Sequence, residues 1–174
     1  MNQRLQIMSP HDVVVLLKIA IYGNQQWFQT ELAESLEISQ SEISKSIQRS
    51  KHAGLLDPSG KSVMKYALME FLQYGFRYVF PQKLGPVVRG VPTSHSVSPL
   101  KEFIHSTEDY VWPYGKGTVR GHSITPLYPS LPKAALKDAG LHELLALVDA
   151  LRVGRARERE FAIAELRRRL GIGE

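Results

Sequence analysis

The stretch from Thr30 to Leu56, TELAESLEISQSEISKSIQRSKHAGLL, sets two short amphipathic helices around a tight joint, and that spacing leaves few arrangements open. Leu32, Ala33 and Leu36 recur at helical period, with Thr30 placed to cap the helix that carries them. Ser39-Gln40-Ser41-Glu42 reads as a capping box for the next helix, which buries Ile43 and Ile47 and stops at Gly54. Ala33 is small enough for the two helices to cross closely, and Leu32, Leu36, Ile38, Ile43 and Ile47 supply an apolar lock. The outward positions of the second helix are then Gln40, Ser41, Ser44, Lys45, Gln48 and Arg49.

Those outward residues carry groove chemistry. Gln and Arg pair bidentately with adenine and guanine edges, while Ser and Lys suit phosphates and let a backbone approach closely. Lys51, His52 and Lys61 extend the basic rim. Glu42 is read as the capping partner of Ser39, not as a base reader. The segment LAESLEISQSEISKSIQRSKHAGLL resembles the helix-turn-helix of bacterial MarR-like and related winged-helix transcription regulators, over about the first third of the chain. The resemblance implies that Gln40, Ser41, Ser44, Lys45, Gln48 and Arg49 face DNA, with a homodimer placing one such helix in each of two successive major grooves. Two positions depart from the family pattern: Glu37 stands where glycine is usual in the turn, and Ser50 where leucine is usual late in the second helix. Glu37 therefore predicts a strained or rearranged turn. The remainder, with RYVFP, LYPSLP and LVDALRVGRARERE, resembles small bacterial helix-turn-helix proteins of uncertain role.

Around this stretch the chain reads as mainly α: a (winged) helix-turn-helix domain over residues 1–80, an irregular Pro/Gly-rich connector over 81–132, and a C-terminal helical pair over 133–174. Ser9-Pro10-His11-Asp12 starts a first helix that runs to about Tyr22. Asp57-Pro58-Ser59-Gly60 is a type I turn, followed by a helix from about Ser62 to Phe80 and leaving room for only a short wing. Most of the prolines fall in the connector, yet YVWPYG and ITPLYPSLP hold aromatic anchors that a solvated linker would not need, and GTVRGHSITPLY offers a strand or two. Leu141, Leu144, Leu145, Val148 and Leu151 form one stripe ending at Gly154, expected as a left-handed cap. Phe161, Ala162, Leu166 and Leu170 form another beneath an arginine-rich face, read as solvated and ion-paired. These two stripes suit either core packing or a dimer seam.

A formal net charge of +5 favours an anionic partner. The absence of cysteine excludes disulfides, thiolate metal sites and thiol nucleophiles, and MNQRLQIMSPHD has no hydrophobic signal core, so a cytoplasmic protein is expected. VVVLLKIAIYG is too short, and too interrupted by Lys18, for a membrane span. His95, His105 and His122, near Glu108 and Asp109, match no metal-ligand spacing, and GKGTVRG lacks the GK[ST] ending of a phosphate loop. No catalytic residue, metal or cofactor is expected. The leading expectation is a sequence-specific, homodimeric DNA-binding regulator, most simply a repressor, whose partner is double-stranded DNA, without a membrane. The alternative is an antitoxin-like module that binds a partner protein through the connector and C-terminal helices. A small-molecule sensor would instead need a pocket beside Trp112 or Tyr128.

Overall fold

The computed structural model describes residues 7–173. The chain is mainly helical with one small three-stranded sheet, and it divides into two compact units. One unit runs to Leu68 and adds Leu127–Leu141; the other holds Met69–Pro126 and the chain from His142 onward.

The first unit is built on α1 (Pro10–Tyr22), whose Val13 to Leu17 and Ile19 are buried on all sides. Such an all-round apolar helix is a core element. Asp12 closes its first turn by accepting the Ser9 N–H at 2.8 Å. α2 (Gln29–Leu36) begins one residue before the expected cap: Phe28 takes the extended N-cap position and Thr30 lies inside the helix. Trp27, buried and stacked on Tyr22 at 6.1 Å, fixes where the chain enters. α3 (Gln40–His52) starts at the expected Ser39, whose hydroxyl accepts the Glu42 N–H, but the expected capping box is only half formed: the Glu42 carboxylate turns to Lys45 and His11 instead of back to the Ser39 N–H. It closes in a Schellman motif: Gly54 at φ +76, its N–H on Lys51 C=O and the Leu55 N–H on Ser50 C=O.

Beyond α3 a single antiparallel bridge joins Leu56 to Val63, flanked by Asp57 N–H on Ser62 C=O and Met64 N–H on Leu55 C=O. The expected helix over 62–80 is therefore corrected. Residues 63 and 64 are held in the bridge, so α4 covers only Lys65–Tyr74, and Gly75 separates it from a one-turn α5 (Phe76–Val79).

The segment expected as an irregular connector is ordered. β1 (Val87–Pro92), β2 (Tyr110–Pro113) and β3 (Val119–Ser123) close on one another: β1 pairs antiparallel with both others, and β2 runs parallel to β3. So small a ring needs backbones in near contact. A methyl on Gly90 would stand 2.0 Å from the Trp112 carbonyl oxygen, and one on Gly121 would stand 2.4 Å from that of Asp109. Residues 127–136 of the same segment belong to the first unit, where α6 (Leu131–Leu136) packs on α2.

α7 (Ala139–Val153) and α8 (Ala156–Arg169) carry the two stripes, and Leu141, Leu144, Leu145, Val148, Leu151, Ala162, Leu166 and Leu170 are buried within a single chain, while Phe161 is only half-buried, its ring 4.5 Å from that of Phe103. Gly154 is not left-handed: its N–H bonds Ala150 C=O, and a methyl there would meet that oxygen at 2.3 Å, so close approach is what requires glycine. In the second unit Asp149 of α7, fully buried, ties the sheet down. It accepts Thr93 Oγ1 at 2.6 Å, Trp112 Nε1 at 2.7 Å and Arg152 Nη1 at 3.1 Å. No helix among the described residues is long and apolar enough to cross a membrane.

Candidate nucleic-acid interface

α3 separates its chemistry cleanly by face. Gln40, Ser41, Ser44, Lys45 and Gln48 are exposed, while Ile43, Ser46, Ile47, Arg49 and Ser50 are buried. The exposed positions recur at i, i+1, i+4, i+5 and i+8, which is one continuous stripe on a 3.6-residue period. Lys51 is half-buried at its C-terminal end and His52 is exposed. Lys45 also reaches Glu42 Oε1 at 3.3 Å, an exposed i,i+3 pair that leaves the ammonium in solvent.

Arg49 is not on that stripe, which corrects its expected place in the DNA-facing set. Its guanidinium turns inward and holds the Asp12 carboxylate through Nε and Nη2, each at 2.8 Å. Position 49 follows Gln48 by 100° of helix rotation, and that turn carries it against α1, where a bidentate partner is already waiting. Arg49 Nη2 also meets His11 Nε2 at 3.0 Å. Arginine only donates, so His11 accepts there as the neutral ring with its proton on Nδ1. Burial is the main reason the His11 pKa is lowered; Arg49 adds to the lowering, and the Asp12 and Glu42 carboxylates oppose it.

Lys61 is exposed, and its position is fixed by Trp27. The ammonium lies 4.3 Å above the indole and donates to Trp27 C=O at 3.2 Å, while Trp27 Nε1 donates to Lys61 C=O at 3.3 Å. A lysine clamped this way presents a positive charge with little rotamer freedom left to lose.

The joint between α2 and α3 explains how Glu37 stands in for glycine. It adopts φ +56, ψ +40, with its N–H on Glu34 C=O and the Ile38 N–H on Ala33 C=O, a Schellman close with a carboxylate-bearing residue at the left-handed position. Four side chains from residues 127–137 brace it. Tyr128 Oη donates to Leu36 C=O at 2.7 Å, Ser130 Oγ donates to Glu37 C=O at 3.0 Å, and Lys137 Nζ meets the Glu37 carboxylate at 2.7 Å, with Lys133 at 3.5 Å. The Lys137 hydrogen bond holds the Glu37 carboxyl below its ordinary range. Sequence reading missed this bracing. The only signal for it was the unexplained pair of aromatic and prolyl anchors in ITPLYPSLP.

Trp112 and Tyr128, the residues a small-molecule pocket would have needed, are both buried with their polar atoms engaged. Among the described residues no three His, Asp or Glu side chains come together as a metal site. The expected ion pairing of the arginine-rich face of α8 is partial: Arg168 and Arg169 meet Glu165, and Arg169 also meets Glu143, while Arg157, Arg159 and Arg167 have no carboxylate within 4.0 Å among the described residues. No protein-family model, curated protein or solved structure matches the chain.

Proposed function

We propose that the protein is a sequence-specific DNA-binding regulator that inserts α3 into the major groove, working as a homodimer and most simply as a repressor. The observation that carries the reading is the uninterrupted exposed stripe Gln40, Ser41, Ser44, Lys45 and Gln48 on a helix whose opposite face is buried. In this arrangement the helix is held rigidly from behind, by Ile43 and Ile47 and by the Arg49–Asp12 clasp, while its free face carries only side chains that hydrogen-bond. Gln40 and Gln48 are the base readers, suited to the N6/N7 edge of adenine; Ser41, Ser44 and Lys45 serve phosphates or close backbone approach. Lys51 and Lys61 add salt-sensitive backbone contacts, and the Leu56–Val63 bridge is a rudimentary wing.

The test is fluorescence-anisotropy binding to the DNA upstream of its own coding sequence and to a scrambled duplex, over a range of salt. A preference for the native duplex that survives physiological salt, and that Gln48→Ala reduces, supports the reading; a lost bidentate contact is worth about 1–3 kcal/mol. Equal binding to both duplexes that salt erases would overturn it and favour a protein-interaction module.

A further inference from the structure

The register of the small sheet sets two like charges face to face. Arg89 of β1 lies directly opposite Arg120 of β3, and both side chains are exposed. Directly opposed residues of an antiparallel pair have Cβ atoms about 4.5–5.5 Å apart, and like charges there destabilise the sheet. No carboxylate among the described residues lies within 4.0 Å of either guanidinium. Lys116 joins them. The turn that carries it is pressed onto β1, since a methyl on Gly117 would meet the Gly90 carbonyl oxygen at 2.3 Å, and Tyr114 N–H bonds Arg89 C=O at 3.1 Å. β1, β3 and the turn between β2 and β3 contain no Asp or Glu, and residues 71–101 contain none at all. The patch ends at His122, where Glu108 approaches the ring at 3.7 Å.

We infer that Arg89, Arg120 and Lys116 form a second polyanion site on the sheet of the second unit, which takes the phosphodiester backbone of duplex DNA. The inference rests on the proposed function for the identity of the polyanion. Opposed guanidiniums repel until an anion sits between them; phosphate oxygens then accept from both, with the planar, bidentate geometry that arginine offers. The backbone of the patch is rigid sheet and pinned turn, and two guanidiniums that share one phosphate are not free to fork onto a guanine edge. The site therefore adds affinity without sequence preference.

The experiment compares the wild type with Arg89→Ala/Arg120→Ala, with a charge-matched control, Lys101→Ala/Arg157→Ala, and with Gln40→Ala/Gln48→Ala, on native and scrambled duplexes across salt. Each phosphate contact contributes about 0.9 to the slope of log K against log salt. The arginine double variant is expected to lower that slope by about 2 on both duplexes equally, to keep the native-over-scrambled preference, and to melt no lower than wild type. The control should leave the slope unchanged. An unchanged slope in the arginine variant, an equal drop in the control, or a lost preference in the arginine variant overturns this inference. So does a slope drop seen with a single-stranded RNA probe but not with duplex DNA. Failure of the α3 reading shows elsewhere, as a wild type without preference or a glutamine variant that keeps it. A wild type that binds no duplex overturns both.

Discussion

Arg49 and Asp12 form a buried bidentate ion pair that locks α3 onto the first turn of α1, with both Arg49 Nε and Nη2 at 2.8 Å from the carboxylate. The carboxylate has no solvent exposure, and it also accepts the Ser9 N–H. One acid thus caps one helix and anchors another. The pair holds the exposed face of α3 at a set angle to its support, so its energy belongs to presentation of the face and not to contact with a ligand.

Arg49→Ala removes one partner and leaves a buried carboxylate uncompensated, a loss of about 3–5 kcal/mol in folding stability. Arg49→Lys should recover only part of it, because an ammonium cannot reproduce the two parallel bonds. Urea denaturation measures this directly. A variant of wild-type stability with an altered base preference would show that Arg49 reads DNA after all.

Stability should also depend on pH through His11. Its folded pKa lies below the ordinary value of 6.5, so between those two values the unfolded chain binds a proton that the folded chain refuses. The contribution is complete above pH 6.5 and is lost as the pH falls below it, levelling off once the folded pKa is passed. Denaturation midpoints between pH 8 and 5.5 should decline on the acid side. In His11→Gln, whose amide oxygen can accept from Arg49 without titrating, that part of the decline should disappear; an identical decline in the variant would assign it to another group.

Asp149→Ala strands Arg152 and the Trp112 and Thr93 donors inside the second unit. Arg152 keeps bonds to Phe80 C=O and Gln82 Oε1, but its buried charge loses its carboxylate, for a cost of about 3–5 kcal/mol. The Trp112 near-ultraviolet circular dichroism signal should weaken in the same variant. A loss under about 1 kcal/mol would mean that the sheet is held mainly by its own ladder.

Tyr128→Phe deletes the hydrogen bond to Leu36 C=O, the last carbonyl of α2, without removing the ring from the core. About 1 kcal/mol of stability should go with it. Hydrogen exchange at Glu37 and Ile38 should speed up more than exchange in α1, because the joint loses a brace. Uniform acceleration across the unit would argue that Tyr128 supports the core in general.

Much of the α3 face is legible in the sequence alone. Ser39 announces the helix, Ile43 and Ile47 mark its inner side, and the exposed glutamines and serines follow from a 3.6-residue period, which is a purely local property of the chain. The stripes of α7 and α8 were readable for the same reason. Of the three strands only β3 was anticipated, within the stretch from Gly117 to Tyr128; β1 and β2 were not. Their four to six residues are broken by glycine and proline, and their glycines serve contacts with other strands, so no alternation survives to be read.

The sequence by itself determined where α1, α3 and α8 begin and which residue types line their two sides, because caps and periodicity act within a few residues along the chain. Only the tertiary structure decided that Arg49 is spent on Asp12, 37 residues away, and that Glu37 can occupy a left-handed joint because Tyr128, Ser130 and Lys137 arrive from some 90 to 100 residues further on. It likewise decided that Arg89 faces Arg120. A charged side chain at the edge of a helical face can turn toward solvent or toward a partner, and the choice depends on what the rest of the fold places within reach.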